Sequence, residues 1–280
     1  MASVFDDLVR KLAQSGIESP RLEARMLLAF ITNQNVSDIF TDINLNDEQK
    51  KHLTQLLNRR LAHEPLDKII GYREFYKASF KVSDKVLSPR PDTEILVEAA
   101  LQLLPNDKPT TILDLGTGSG CIIESLLIEK PLARGVAVDI SADALAIAQK
   151  NAGNLGIENR LDLVQADWFD AYFTQRLTQK FDMIVSNPPY IPSQDIETLM
   201  TEVKNYDPML ALDGGADGFD SYKRIAELVQ NLLKTEGCIL IESGAGQARQ
   251  ISEIFSAQGL HLLNIYPDLA GIERCVVLKK

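Results

Sequence analysis

Hydrophobic positions in the first 63 residues repeat at helical spacing. Val4, Phe5, Leu8 and Leu12 share one face, and Gly16 supplies a stop. Ser19-Pro20 reads as an N-cap followed by proline at the first helical position. Leu22, Met26, Leu27, Phe30 and Ile31 then form an apolar stripe. A further helix is predicted from about Asn46 to Ala62, with Leu53, Leu56, Leu57 and Leu61 on one side. These elements make a small helical bundle. Pro65 ends it, and the period changes. The stretch IIGYREFYKASFKVSDKVL alternates and is rich in aromatic and β-branched residues, the pattern of a β-hairpin.

From Asp92 onward, apolar runs bounded by Gly, Pro or Asp alternate with helical segments. The runs are TILDL (111–115), GVAVDI (135–140), LDLVQAD (161–167), FDMIVSN (181–187) and CILIES (238–243). This repetition predicts a parallel, doubly wound α/β sheet. LHLLNIY (260–266) and RCVVLKK (274–280) are separated by too few residues for a crossover helix, so they should pair antiparallel. The expected division is a helical domain over 1–64, a hairpin linker over 65–87 and an α/β domain over 88–280.

Composition narrows the function. Of 280 residues, 45% are hydrophobic and 24% charged, which excludes a wholly disordered chain. The net charge is −10. It lies in residues 89–280, where 27 acidic side chains face 16 basic ones, while residues 1–88 are nearly balanced. A generic duplex-DNA binder needs a basic face, so this balance argues against that role. Cys121, Cys238 and Cys275 are widely spaced and form no metal or disulfide pattern. The N-terminus has acids where a signal peptide needs bases, and no apolar run approaches the ~20 residues of a bilayer span. A soluble cytoplasmic protein is expected, without metal or membrane partner. His52, His63 and His261 lie on different elements and read as packing or surface residues; Cys121 reads as a small helix-packing residue.

The candidate chemistry sits at successive strand ends. The first strand of the α/β domain runs into Gly116-Thr117-Gly118-Ser119-Gly120. Glycines there let a backbone approach a ligand closely. The spacing is GxGxG, with Cys121 where a dinucleotide fingerprint places its third glycine. The second strand ends in Asp139, an acid suited to ribose hydroxyls. The third leads into Asp167-Trp168, an acceptor for an adenine amino group beside a ring that can cover it. An adenosine-containing cofactor other than NAD follows; a plain turn with a strand-end acid is the alternative. The fourth strand ends in Ser186-Asn187-Pro188-Pro189-Tyr190. The prolines stiffen the backbone and remove two donors, Asn187 offers an acceptor, and Tyr190 a flat face. The set suits a planar, neutral NH2 group.

DLGTGSG with NPPY resembles the class I, S-adenosylmethionine-dependent methyltransferases that act on amino nitrogens. Ser88-Pro89-Arg90-Pro91-Asp92-Thr93-Glu94, Asp139-Ile140-Ser141 and ALDGGADGFDSYKRI (211–225), with the helical N-terminus and hairpin, are similar to the peptide chain release factor N5-glutamine methyltransferases. The family often shows Gln-Tyr where Asp67-Lys68 stand, glycine at Lys77 and an aliphatic residue at Ser88.

The resemblance implies a Rossmann-like, seven-stranded class I methyltransferase domain with a small N-terminal helical bundle and a β-hairpin linker. It implies S-adenosyl-L-methionine over Gly116–Gly120, with its ribose on Asp139, its adenine near Trp168 and Asn187 nearby. It also implies that Asn187, Pro188, Pro189 and Tyr190 bind the target, with Asn187 and the Pro188 carbonyl accepting from a glutamine NH2. The implied substrate is the glutamine of the Gly-Gly-Gln loop of class I release factors, methylated by a monomer whose N-terminal bundle docks the protein. A ribosomal-protein glutamine, an adenine-N6 target and a non-catalytic cofactor-binding scaffold are the other readings.

Overall fold

The computed structural model describes residues 3–39, 43–177 and 179–280. They divide into two compact units that are not consecutive in sequence. One comprises the residues up to Tyr72 together with Met200–Tyr206; the other is Arg73–Leu199 with Asp207–Lys280.

The first unit contains helices Val4–Gln14, Pro20–Thr32, Asp47–Leu61 and Leu66–Ile70. Ser3 caps the first by accepting from the Asp6 N–H, and Asn46 with Gln49 forms a reciprocal capping box on the third. Ser19 makes no such side-chain bond, so Pro20 alone marks the second start. Leu8, Leu12, Leu27, Leu28, Leu56 and Leu57 meet in the core. The last helix departs from the sequence expectation, which ran the hairpin from Ile69. Leu66 and Ile69, three apart, are buried against the bundle, and Gly71 at φ 83° stops the turn. Burial of one helical face decided a short apolar run that periodicity alone leaves ambiguous.

The segment Thr201–Tyr206 is a helical turn of the same unit. Arg60, 4% exposed, pairs there with Glu23 and, at 2.7 Å, with Glu202. The Tyr206 hydroxyl donates to the Ala62 carbonyl at 2.9 Å, and Lys68 Nζ donates to the Tyr206 carbonyl.

A hairpin of β1 (Tyr72–Phe75) and β2 (Ala78–Lys81) comes next. The strands that follow are β3 (Thr110–Leu115), β4 (Ala133–Asp139), β5 (Leu161–Gln165), β6 (Phe181–Ser186), β7 (Leu233–Glu242), β8 (His261–Pro267) and β9 (Glu273–Lys279). They form one seven-stranded sheet in the order β5-β4-β3-β6-β7-β9-β8 among the described residues. β3 to β7 are parallel, and β9 runs antiparallel between β7 and β8, as the short connection requires. Helices Asp220–Leu232 and Ala248–Ser256 cover one face, with Tyr222 and Phe255 buried beneath them. Helices Glu94–Leu103 and Cys121–Glu129 cover the other. No helix among the described residues is long and apolar enough to cross a membrane.

The strand order reverses between β3 and β6, the switch point where such sheets open a crevice. Leu115 lies opposite Ser186 in the register. The glycine turn and Asn187 therefore leave the sheet side by side.

Candidate active site

The turn after β3 is held from below. The Gly116 and Thr117 N–H groups both donate to the Val138 carbonyl at 2.9 Å, and Gly120 N donates to Thr117 O at 2.9 Å. Gly116, Gly118 and Gly120 have φ of 76°, 56° and 85°, which L side chains adopt at a cost. Their surroundings differ. A Cβ on Gly116 would lie 3.1 Å from the Trp168 ring, and one on Gly120 would overlap the Glu124 carboxyl at 2.1 Å. A Cβ on Gly118 would meet nothing within 4 Å, because its Cα faces open space.

Carboxyl groups surround this turn. Asp139 Oδ2 accepts from Gly118 N at 2.8 Å and Oδ1 from Ser141 N at 2.9 Å. Burial raises its pKa against the pull of these bonds. Each oxygen keeps a lone pair for a further donor. Asp114 is fully buried; its Oδ2 accepts from the Thr117 hydroxyl at 2.7 Å, and burial pushes its pKa up to about 7. Cys121 is free and buried, and desolvation pushes its thiol well above the usual range, so it offers no thiolate.

Trp168 stacks its six-membered edge on Gly116, and its Nε1 is buried without a hydrogen-bond partner. Its carbonyl accepts from Arg224 Nε at 2.7 Å, which pins the backbone. Asp167 Oδ1 accepts from Phe169 N.

After β6, the Ser186 hydroxyl donates to Leu115 O at 2.7 Å, tying the two strand ends together. Asn187 Nδ2 donates to the Thr93 hydroxyl at 3.3 Å. The Tyr190 carbonyl accepts from Gln247 Nε2, and burial pushes its phenol up to about 12. The loop of Asp213 to Gly218 closes on this segment. Ile191 bridges to Asp213, and a Cβ on Gly214 would lie 2.8 Å from Tyr190 Cα, so the two backbones meet only through glycine.

A cavity of about 470 Å³ runs along these strand ends. Gly116, Gly118, Asp139, Trp168, Asn187 and Pro189 all line it. Thr117 and Ser119 line it too, whereas Gly120, Pro188 and Tyr190 adjoin lining residues without lining it themselves. Apolar Ile140, Phe169, Met209 and Leu210 are exposed where they border it.

Two residues in contact with this constellation carry no role in the sequence reading. Thr93 lines the cavity. Glu242, at the end of β7, is 3% exposed and lies beside Thr93 and Asn187, whose polar groups favour its ionised form; burial pushes its pKa up to about 7 against them. An acid at the carboxyl end of the strand next to β6 was the available signal, the same one that singled out Asp139.

Residues 4–71 match the family model described as PrmC N-terminal domain, and residues 106–264 match a methyltransferase domain. A release factor glutamine methyltransferase of Rhodospirillum rubrum is 40% identical over 96% of this chain and 82% of its own length. One of Caulobacter vibrioides is 38% identical over 95% of this chain and 92% of its own. A bifunctional methyltransferase of Rickettsia conorii is 37% identical, and 56% of its length is matched. A methyltransferase structure from Pyrococcus furiosus superposes with a TM-score of 0.50 at 15% identity, over 84% of this chain and 99% of that one, a likeness of fold.

Proposed function

The chain belongs to the release factor glutamine methyltransferase family, and from that premise we propose its reaction. It transfers a methyl group from S-adenosyl-L-methionine to the side-chain amide nitrogen, N5, of a glutamine. The target is the Gly-Gly-Gln glutamine of class I peptide chain release factors, in the cytoplasm. The observation that carries this reading is the single cavity shared by Gly118, Asp139, Trp168 and Asn187.

The residues fit an adenosyl cofactor. The open space over Gly118 admits a ligand against the backbone. Asp139, already oriented by two N–H groups, keeps acceptor capacity for two ribose hydroxyls. The Trp168 ring, braced on Gly116, gives adenine a flat neighbour. Gly116, Thr117, Gly118, Ser119 and Gly120 would hold the rest of the molecule, with Asn187 at its reacting end. When bound, S-adenosylmethionine supplies a methyl group made electrophilic by positive sulfur.

An amide nitrogen is a weak nucleophile, because its lone pair is delocalised into the carbonyl. The protein's contribution is orientation. Asn187 Oδ1 and the Pro188 carbonyl accept from the target NH2, and Tyr190 supports the loop that carries them. Well-oriented reactants can gain up to ~7–11 kcal/mol in this way. No side chain has to remove the proton beforehand, since it can leave as the C–N bond forms or afterwards. The N-terminal unit supplies a second contact with the protein substrate, remote from the reacting glutamine.

The deciding experiment incubates the enzyme with methyl-labelled S-adenosylmethionine and a cell extract. Label is expected on a release factor, at the glutamine of its Gly-Gly-Gln motif. Label on a ribosomal protein or on nucleic acid would overturn the substrate, and no label would overturn the activity.

A further inference from the structure

An asparagine amide can present either end to a target. Turned one way it offers oxygen, and turned by half a rotation it offers nitrogen. Only the first accepts from an NH2 group. Groups on the inner side of the site have to choose between the two, and the structure places two there. Asn187 Nδ2 donates to the Thr93 hydroxyl at 3.3 Å. The Thr93 hydroxyl and the Asn187 amide both lie beside the carboxyl of Glu242, which is buried and whose Oε2 has no hydrogen-bond partner.

The polarity of this set runs one way. A carboxylate only accepts, so a hydroxyl that donates to it turns its lone pairs outward. With Glu242 ionised, its carboxylate can only accept from the Thr93 hydroxyl, the Thr93 oxygen accepts from Asn187 Nδ2, and the Asn187 oxygen is left for the cavity. Arg274, the cation that acts on Glu242, is engaged by Asp92 and Asp268 at 2.9 Å each. The buried carboxyl of Glu242 is therefore left to face Thr93 and Asn187. Three separate elements supply the groups. Thr93 closes the turn Pro91–Thr93, Asn187 follows β6, and Glu242 ends β7, where Ser186 pairs with Ile241.

We propose, on the premise that Asn187 orients the target amide, that Thr93 and Glu242 are positioning residues. They hold the Asn187 side-chain oxygen toward the substrate. Buried groups that orient a reacting residue through a hydrogen bond fix its tilt as well as its polarity.

The test compares Thr93→Val, Thr93→Ser, Glu242→Gln and Asn187→Ala. The readouts are single-turnover methylation of a purified release factor, KM for that protein, and cofactor Kd by calorimetry. Thr93→Val keeps the side-chain shape without the hydroxyl. It is expected to lower the single-turnover rate about tenfold while KM and cofactor Kd stay within about twofold, and Thr93→Ser should recover to within about threefold of wild type. Glu242→Gln should show a similar loss, because its amide can donate to the Asn187 oxygen and turn it inward. Wild-type rate in Thr93→Val beside an impaired Asn187→Ala would overturn the positioning role. So would a Thr93→Val loss that serine fails to restore, or one that falls on cofactor Kd. If Asn187→Ala itself reacts at wild-type rate, the premise about Asn187 fails, which is a distinct result. Should Glu242→Gln not fold, the Thr93 pair decides alone.

Discussion

Asn151 donates its side-chain amide to the Ser119 carbonyl at 2.9 Å, in the middle of the glycine turn. The same amide donates to Lys81 O at 3.1 Å, and its oxygen accepts from Lys81 N at 2.7 Å. One buried helical side chain thus completes the edge of β2 and braces the cavity-facing turn. Asn151→Ala would leave those backbone groups unpaired in a dry site, at ~1–3 kcal/mol for each that water cannot reach. A stability loss on the order of 3 kcal/mol in urea unfolding is expected, with S-adenosylmethionine binding weakened about tenfold. Unchanged Kd in a destabilised variant would limit Asn151 to a structural role.

Glu124 is fully buried, and neither carboxyl oxygen has a hydrogen-bond partner. Burial, then the nearby Asp114, pushes its pKa from 4.5 up to about 9. The sign follows from proton binding. Between those values the folded chain holds a proton that the unfolded chain has released, so stability falls as pH rises from about 4.5 towards 9. Glu124→Met keeps the volume and removes the titration. It should be more stable at pH 7, by up to ~3 kcal/mol, with the gap widening from pH 5.5 to 8.5. Equal pH slopes for the two proteins in urea unfolding would contradict this.

The glycines of the turn should fail in different ways. Gly120→Ala meets the Glu124 carboxyl at 2.1 Å and is expected to show as lost stability. Gly118→Ala meets no protein atom, so its folding cost should be only the ~1 kcal/mol of a left-handed alanine. Its methyl, however, enters the cavity, and cofactor affinity should drop far more than the melting temperature. Calorimetry beside thermal melting separates the two. Normal binding by Gly118→Ala would refute the cofactor's placement over this turn.

Asp139→Ala removes the proposed ribose acceptor and leaves the Gly118 and Ser141 N–H groups without their carboxylate. Hydrogen bonds to a charged group are worth ~1.5–3 kcal/mol, so S-adenosylmethionine binding should weaken by about one to two orders of magnitude. An unaltered titration isotherm would remove Asp139 from the ribose site.

Asn187→Ala is expected to lose about 10²–10³ in kcat, with a much smaller change in release-factor affinity, the pattern of an interaction made in the transition state. Asn187→Asp retains an acceptor but cannot donate to Thr93, and it sets a negative charge near buried Glu242. It should fail as well. Near-normal single-turnover rates in Asn187→Ala would reduce NPPY to a structural turn.

The sheet was legible because its determinants are local. Runs such as TILDL and FDMIVSN are bounded by breakers, and the connection between β8 and β9 is too short for a crossover. The glycine turn and the strand-end residues Asp139, Trp168 and Asn187 followed from the same topology. What could not be read depends on distant partners. Thr93 meets Asn187 across 94 positions, and the Ser88–Glu94 motif that contains it does not say what it touches. The Leu66–Ile70 helix is set by the core it enters. TEVKNY (201–206) has no apolar period at all; its place in the N-terminal unit comes from Arg60, 142 residues away.

That last segment makes the polypeptide's architecture interleaved. A cut near Tyr72 does not yield two self-sufficient pieces, because a stretch of the remaining chain belongs with the helices removed. Chimeras face the same constraint. N-terminal helices borrowed from a relative have to travel with that relative's counterpart of 200–206, or Arg60's replacement inherits an unmatched carboxylate partner. The bundle's own side chains and those of 200–206 should therefore drift together among relatives as one cassette encoded in two places.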